Sequence, residues 1–105
     1  MKNLLLGFLF ISFASLAGPK ETVKIKTSAI CEMCKERIEK NLTLSKGVKK
    51  AELDLNDKVI EVTFDAGKTD VAAIKKAINE VGYDADDSPA ISKAYDKLPN
   101  CCRKK

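Results

Sequence analysis

The sequence predicts a small α+β domain in which two helices cover one face of a four-stranded antiparallel sheet. Two observations carry this prediction. Apolar and polar residues alternate in three short runs, which is the period of a half-buried strand. In two longer runs apolar residues recur every three to four positions, which is the period of an amphipathic helix.

The first strand and the first helix come directly after one another in the chain. Residues 22–27 alternate between apolar and lysine positions, so they predict a strand. A helix is predicted from about Cys34, because Ile38 and Leu42 lie one turn apart with charged residues between them. Gly47 lies just past its expected end.

The next two alternating runs predict a β-hairpin. Residues 51–55 and 60–64 flank the short polar turn at Asn56 and Asp57. The second helix follows, capped by Thr69 or Asp70, and its apolar positions are Val71, Ile74, Ala77, Ile78 and Val81.

Gly82 ends the second helix, and residues 83–85 are the most that a fourth strand can occupy. The resulting order, β-α-β-β-α-β, is that of the ferredoxin-like fold. We assign residues 18–87 to this domain.

The C-terminal segment, residues 88–105, adds a short helix that this fold does not require. Ser88 is a suitable N-cap, Pro89 suits the first helical position, and Pro99 stops the helix. We expect the helix to dock on the domain, and Cys101 and Cys102 follow it.

The N-terminus has the pattern of a secretory signal peptide. Lys2 precedes an apolar run at residues 4–13, and small residues at Ser15 and Ala17 suit a signal peptidase. The run is shorter than the roughly 20 residues of a spanning helix. We therefore expect residues 1–17 to be removed and the mature protein to be periplasmic rather than membrane-embedded.

Composition argues against several functions. The net charge of +4 is a mild basic excess, and no aromatic residues interleave with the lysines to stack nucleic-acid bases. The chain has no histidine and no glycine-rich phosphate loop. We therefore expect neither nucleic-acid binding nor hydrolytic or transferase catalysis, and the protein is not predicted to be an enzyme.

Cys31 and Cys34 are the predicted metal ligands. They form a C-x-x-C motif where the first strand gives way to the first helix. Unpaired N–H groups at a helix start stabilise a thiolate, and Lys35 and Arg37 add positive charge. Two sulfur ligands without nitrogen donors favour soft ions such as Cu(I) or Hg(II), because a closed Zn(II) site prefers four ligands.

Cys101 and Cys102 are possible auxiliary ligands. A helix of about ten residues would return the chain by ~15 Å toward Cys31 and Cys34. A third or fourth thiolate would favour higher-coordinate Cu(I), Zn(II) or Cd(II). The alternative is a mobile thiol pair in a frayed terminus.

Two other uses of the C-x-x-C pair remain open from the residues alone. A thiol–disulfide redox protein of the periplasm also places this motif at a helix start, although the element order here lacks the additional elements of a thioredoxin core. A purely structural Cys31–Cys34 disulfide would close a loop too short to stabilise the fold much.

The same residues carry a resemblance to a known family. Residues 27–42, TSAICEMCKERIEKNL, together with Gly47-Val48 and the Gly-Tyr-Asp-Ala of residues 82–85, resemble the heavy-metal-associated domain. The resemblance spans residues 22 to about 86. The family includes copper chaperones, metal-binding modules of heavy-metal pumps and periplasmic mercury-binding proteins.

The resemblance implies that Cys31 and Cys34 bind a metal ion. The protein would either sequester the ion or deliver it to a membrane transporter or another metal carrier by ligand exchange. The resemblance also implies that Tyr83 lies near the metal loop. The sequence departs from the family where Ala29 replaces a methionine that packs beneath this loop. We expect Ile30 or Met33 to fill that space instead.

Overall fold

The computed structural model of the chain describes residues 19–103, so the predicted signal peptide lies outside the described residues. Its elements are the strands β1 (Lys20–Lys26), β2 (Val48–Asp54) and β3 (Val59–Asp65), the helices α1 (Glu32–Thr43), α2 (Val71–Glu80) and α3 (Ser92–Asp96), and a 3₁₀ turn at Asn100–Cys102. Within residues 19–103, no helix has the length and apolar character needed to cross a membrane.

The strands form one antiparallel sheet in the order β1-β3-β2. Ile25 of β1 and Leu53 of β2 both lie opposite Ile60 of the central strand, and all three are buried. Lys24 and Glu52, one position away on their strands, are exposed. One face of the sheet is therefore apolar and the other faces solvent, as the alternation predicted.

Helices α1 and α2 cover the apolar face. In α2, Ile74 and Ile78 are buried, and the carboxylate of Asp70 accepts a hydrogen bond from the backbone N–H of Ala73 at 2.8 Å. This bond caps the helix start. In α1, the buried positions are one turn apart: Cys34, Ile38 and Leu42. The predicted α+β arrangement with two helices on one face is confirmed.

The predicted hairpin is confirmed between β2 and β3. Asp54 accepts a hydrogen bond from the backbone N–H of Asn56 at 2.8 Å, and Asp57 accepts one from that of Val59 at 3.0 Å. These side chains satisfy the turn backbone while Lys58 takes a left-handed conformation, with φ of 64°.

The prediction of a fourth strand is wrong for the described residues. Ala85 forms only an isolated bridge with Thr27 and another with Ser88. Asp86 still donates its backbone N–H to the carbonyl of Lys26 at 2.7 Å, but its φ of 54° turns the chain away from β1 after this residue. Since Ala85 and Ser88 exchange backbone hydrogen bonds of 2.9 Å, the backbone groups of Ala85 are used in a turn rather than in a strand.

The C-terminal helix is present but shorter than predicted. It begins after Ile91 rather than at Ser88, because the Ser88 carbonyl, which would accept the first helical hydrogen bond, already accepts from the N–H of Ala85 at 2.9 Å and from the Asn79 amide at 3.0 Å. The helix ends near the expected place, and Pro99 then leads into the 3₁₀ turn that contains Cys101 and Cys102.

Candidate metal site

The loop between β1 and α1 is fixed by three side-chain hydrogen bonds. The Thr27 hydroxyl donates to the carbonyl of Lys58 at 2.9 Å and accepts from the N–H of Ala29 at 3.2 Å. The Ser28 hydroxyl accepts from the N–H of Asp84 at 2.9 Å. The residues before the C-x-x-C motif are thus tied both to the hairpin and to the segment after α2.

The two motif cysteines converge at the start of α1. Cys31 is the residue that precedes the helix and is partly exposed, whereas Cys34 lies in the first turn and is fully buried. Their Sγ atoms are 3.0 Å apart. The helix start therefore presents two thiols to one point, with unpaired backbone N–H groups nearby that favour negative charge.

Both C-terminal cysteines lie beside the motif. The Sγ atom of Cys31 is 3.9 Å from that of Cys101 and 3.4 Å from that of Cys102, and the sulfurs of these three residues all lie within 4.8 Å of one another. Cys102 is almost completely buried, while Cys101 is exposed. The frayed terminus considered as an alternative is not what the structure has. We call Cys31, Cys34, Cys101 and Cys102 the sulfur cluster.

The surroundings of Cys31 lower the pKa of its thiol. Partial burial alone would raise the pKa of its thiol, but hydrogen bonds from the surrounding thiols, led by Cys34, lower the pKa to about 7. Burial raises the pKa of the Cys102 thiol to about 12. At neutral pH the cluster therefore has thiolate character at Cys31, and Cys102 remains a thiol that can donate to it.

Tyr83 lies directly beneath the cluster. Its side chain is fully buried, and its hydroxyl is a neighbour of the sulfurs of Cys34 and Cys102. The hydroxyl lies near enough to both sulfurs for a weak interaction, but it makes no hydrogen bond of good geometry among the described residues. Burial and then the two neighbouring thiols raise the pKa of Tyr83 well above its ordinary value, so it keeps its proton and remains a potential donor.

The prediction that Ile30 or Met33 fills the space beneath the loop is wrong. Ala29 is buried, but Ile30 and Met33 are 41% and 45% exposed. Instead, Leu98 from the C-terminal segment joins the buried core, as do Tyr83 and Cys102.

Lys35 does not stabilise a thiolate in this structure. Its ammonium forms an ion pair of 2.7 Å with the carboxylate of Glu39, one turn along α1. This hydrogen bond raises the pKa of Lys35. The same carboxylate accepts the backbone N–H of Leu53 at 2.7 Å, so Lys35 and Glu39 tie the helix to β2.

Sequence reasoning missed one buried polar residue that supports the site. The side-chain amide of Asn79 donates to the carbonyls of Tyr83 and Ser88, each at 3.0 Å. Asn79 therefore joins the end of α2 to the start of the C-terminal segment. Its only signal in the sequence is a polar residue directly beside the apolar face of a helix.

Comparisons with known proteins agree with this geometry. Residues 25–84 match the family model of the heavy-metal-associated domain. The mercuric transport protein periplasmic component of Shewanella putrefaciens is 38% identical over 85 residues, which are 79% of this chain and 93% of that protein.

Two further relatives are, by name, a copper-exporting pump and a metallochaperone. A probable copper-exporting P-type ATPase of Archaeoglobus fulgidus is 30% identical over 90% of this chain, but the match is only 12% of the ATPase. The solved CopZ metallochaperone aligns with a TM-score of 0.60 and 29% identity, over 62% of this chain and 98% of that one. On the family match, the motif and the fold together, this chain belongs to the heavy-metal-associated domain family.

Proposed function

We propose that this protein is an exported, non-enzymatic carrier of a soft metal ion, Cu(I) or Hg(II), with Cys31 and Cys34 as thiolate ligands. The observation that carries the proposal is the 3.0 Å approach of the two sulfurs at the start of α1. A thiol pKa of about 7 at Cys31 means that a metal displaces a proton there at little cost.

The donor set favours soft ions. The described residues around the cluster offer sulfur, and the chain has no histidine. Soft thiolate ligands select Cu(I), whereas a structural Zn(II) site prefers four N or S ligands. Zn(II) and Cd(II) are weaker candidates, and they are kept because the four cysteines of the cluster could supply the four ligands that such ions prefer.

We propose that delivery to a membrane transporter or another metal carrier occurs by ligand exchange. Cys31 is partly exposed, so a thiolate of the partner can bond to the metal as the Cys31–metal bond breaks. The names of the relatives, a mercuric transport component and a copper-exporting ATPase, support a role in transport. The word "periplasmic" in the first name, and the signal-like residues 1–17, support export.

The redox alternative receives no support from the comparisons. Family members that match this chain are named as metal transport proteins, chaperones and pumps. We therefore do not carry that alternative further.

The test is an anaerobic titration of the reduced mature chain with Cu(I), Hg(II) and Zn(II) against competing chelators. We expect 1:1 binding of Cu(I) or Hg(II) that Cys31→Ser/Cys34→Ser abolishes. Met33→Leu is the matched control, because Met33 lies within the motif but exposes its thioether to solvent. Wild-type protein that loses every soft ion to the chelators would overturn the proposal.

Export is tested separately. The full chain and a chain lacking residues 2–17 are expressed in a Gram-negative host, and the cells are fractionated. We expect periplasmic protein, shortened by the signal peptide, only from the full chain. Full-length protein that stays in the cytoplasm would contradict export without affecting metal binding.

A further inference from the structure

The sulfurs of Cys31, Cys101 and Cys102 have the dimensions of a trigonal metal site. Their separations are 3.9, 3.4 and 4.0 Å. The point equidistant from the three sulfurs is about 2.2 Å from each, on the basis of those separations. Metal–thiolate bonds are about 2.3 Å long for zinc. An ion fits in the plane of these sulfurs with little movement of the chain.

Close packing against the domain holds the C-terminal segment in place. Gly82 has φ of 103°, and a Cβ atom there would lie 3.0 Å from the carbonyl oxygen of Ala94 and 3.1 Å from Cγ of Leu98. Only glycine allows the end of α2 to approach α3 this closely. Ile91 adds a backbone hydrogen bond of 3.1 Å to the carbonyl of Asn79. The segment is therefore seated on the domain before it reaches the cysteines.

The last turn also fixes the direction of the two thiols. The N–H of Cys102 donates to the carbonyl of Pro99 at 2.8 Å, which closes the 3₁₀ turn. Arg103 then folds back and donates from Nε to the carbonyl of Leu98 at 3.1 Å and from Nη2 to that of Asp96 at 2.5 Å. These bonds fix the turn within the C-terminal segment, which the contacts at Gly82 and Asn79 seat on the domain.

We propose that Cys101 and Cys102 complete a three-thiolate site with Cys31, and that the C-terminal segment is a ligand arm closed over the metal loop. The inference rests on the proposed function, since it specifies how the same ion is held. The alignment uses 98% of the CopZ chain but only 62% of this one. The CopZ chain therefore has almost no residues left that could correspond to the arm.

Cys31 is common to the loop pair and to the three-thiolate site. The Cys34 sulfur lies 3.0 Å from that of Cys31, and the sulfurs of Cys102 and Cys101 lie 3.4 and 3.9 Å from it. An ion can therefore move toward the loop pair without leaving Cys31. One arm sulfur–metal bond breaks as the Cys34–metal bond forms, and the Cys34 proton passes to the released thiolate. The ion is then held by Cys31, Cys34 and the remaining arm sulfur.

The arm should raise affinity strongly. A tethered second binding group commonly increases affinity roughly 10²–10⁴-fold when its geometry fits. We expect Cys101→Ser/Cys102→Ser to weaken Cu(I) binding by at least about 100-fold, the low end of that range. Asn100→Ser is the matched control, because Asn100 is an exposed residue of the same turn and its side chain contains no sulfur ligand.

The deciding measurement is X-ray absorption on the monomeric Cu(I) protein, prepared with a reductant that contains no thiol. We expect three sulfur neighbours in the wild type and in Asn100→Ser, and two in Cys101→Ser/Cys102→Ser. The motif loop contains only two cysteines, so a third thiolate in a monomer has to come from the arm.

If Cu(I) in the wild type had only two sulfur neighbours, the proposed ligand arm would be overturned. This measurement uses the wild type alone and does not depend on the folding of a variant. Equal affinity in the wild type and the double variant would overturn the arm as well. Both results leave the two-thiolate carrier intact. Failure of the wild type to bind any soft ion would instead remove the proposed function and the arm together.

Discussion

Removing the Tyr83 hydroxyl should change stability and metal affinity in opposite directions. The hydroxyl is buried beside the sulfurs of Cys34 and Cys102, which are weak acceptors as thiols, and makes no hydrogen bond of good geometry among the described residues. A buried, unsatisfied polar group costs about 1–3 kcal/mol. Tyr83→Phe keeps the ring and removes that cost, so we expect the metal-free protein to become about 1 kcal/mol more stable, the low end of that range.

Metal binding reverses the sign. Once a metal binds, the neighbouring sulfur of Cys34 or Cys102 becomes a thiolate, which is a strong acceptor for the Tyr83 hydroxyl. Hydrogen bonds to charged groups contribute about 1.5–3 kcal/mol. This loss adds to the gain of about 1 kcal/mol in the metal-free protein, so Tyr83→Phe should weaken Cu(I) binding by about 2.5–4 kcal/mol, or roughly 10²- to 10³-fold.

Two assays measure these effects. Urea unfolding of the reduced, chelator-treated protein should move to a midpoint higher by about 0.5–1 M, given an m-value of about 1–2 kcal/mol/M. Chelator competition gives the affinity. Thr63→Val is the control, because its hydroxyl pairs with that of Thr22 on the solvent face of the sheet and should not affect metal affinity. A destabilised Tyr83→Phe protein, or one that binds Cu(I) like the wild type, would refute the reasoning.

Three further predictions follow from other contacts. Gly82→Ala forces a side chain into a left-handed position against Ala94, so we expect it to lower the stability of the protein by more than about 1 kcal/mol. We also expect the number of sulfur neighbours of bound Cu(I) to fall from three to two. Unchanged stability and an unchanged number of sulfur neighbours would contradict the close packing. The pKa of Cys31 lies near 7 instead of its ordinary 9.0, so its alkylation rate, followed by peptide mass spectrometry, should reach half its maximum near pH 7. The lowered pKa should also add stability to the metal-free protein as pH rises from 7 to 9. An alkylation midpoint near pH 9 would show that the thiolate is not favoured. Asp70→Ala removes the cap on Ala73 and should cost about 1 kcal/mol in urea unfolding, whereas Asp70→Ser should retain most of it; equal losses would mean that the cap contributes little.

Local patterns were enough to predict most of the fold. Alternation located all three strands of the described sheet, and the spacing of Ile38 and Leu42 located α1. These predictions succeeded because strand and helix periods depend on neighbouring residues that share one buried face. The fourth strand failed because pairing beside β1 was decided by the left-handed turn at Asp86, which no period reveals.

One part of the candidate site was likewise predictable from the sequence, and the other part was not. The sequence by itself determined the pairing of Cys31 with Cys34, because three residues at a helix start cannot separate the two thiols far. Only the tertiary structure decided that Cys101 and Cys102 meet them across about 70 residues of chain. That meeting depends on the close approach of Gly82 to α3, which brings Leu98 and Cys102 into the same buried core as Tyr83. Contacts of this kind are set by three-dimensional packing, and a residue's neighbours along the chain carry no record of them.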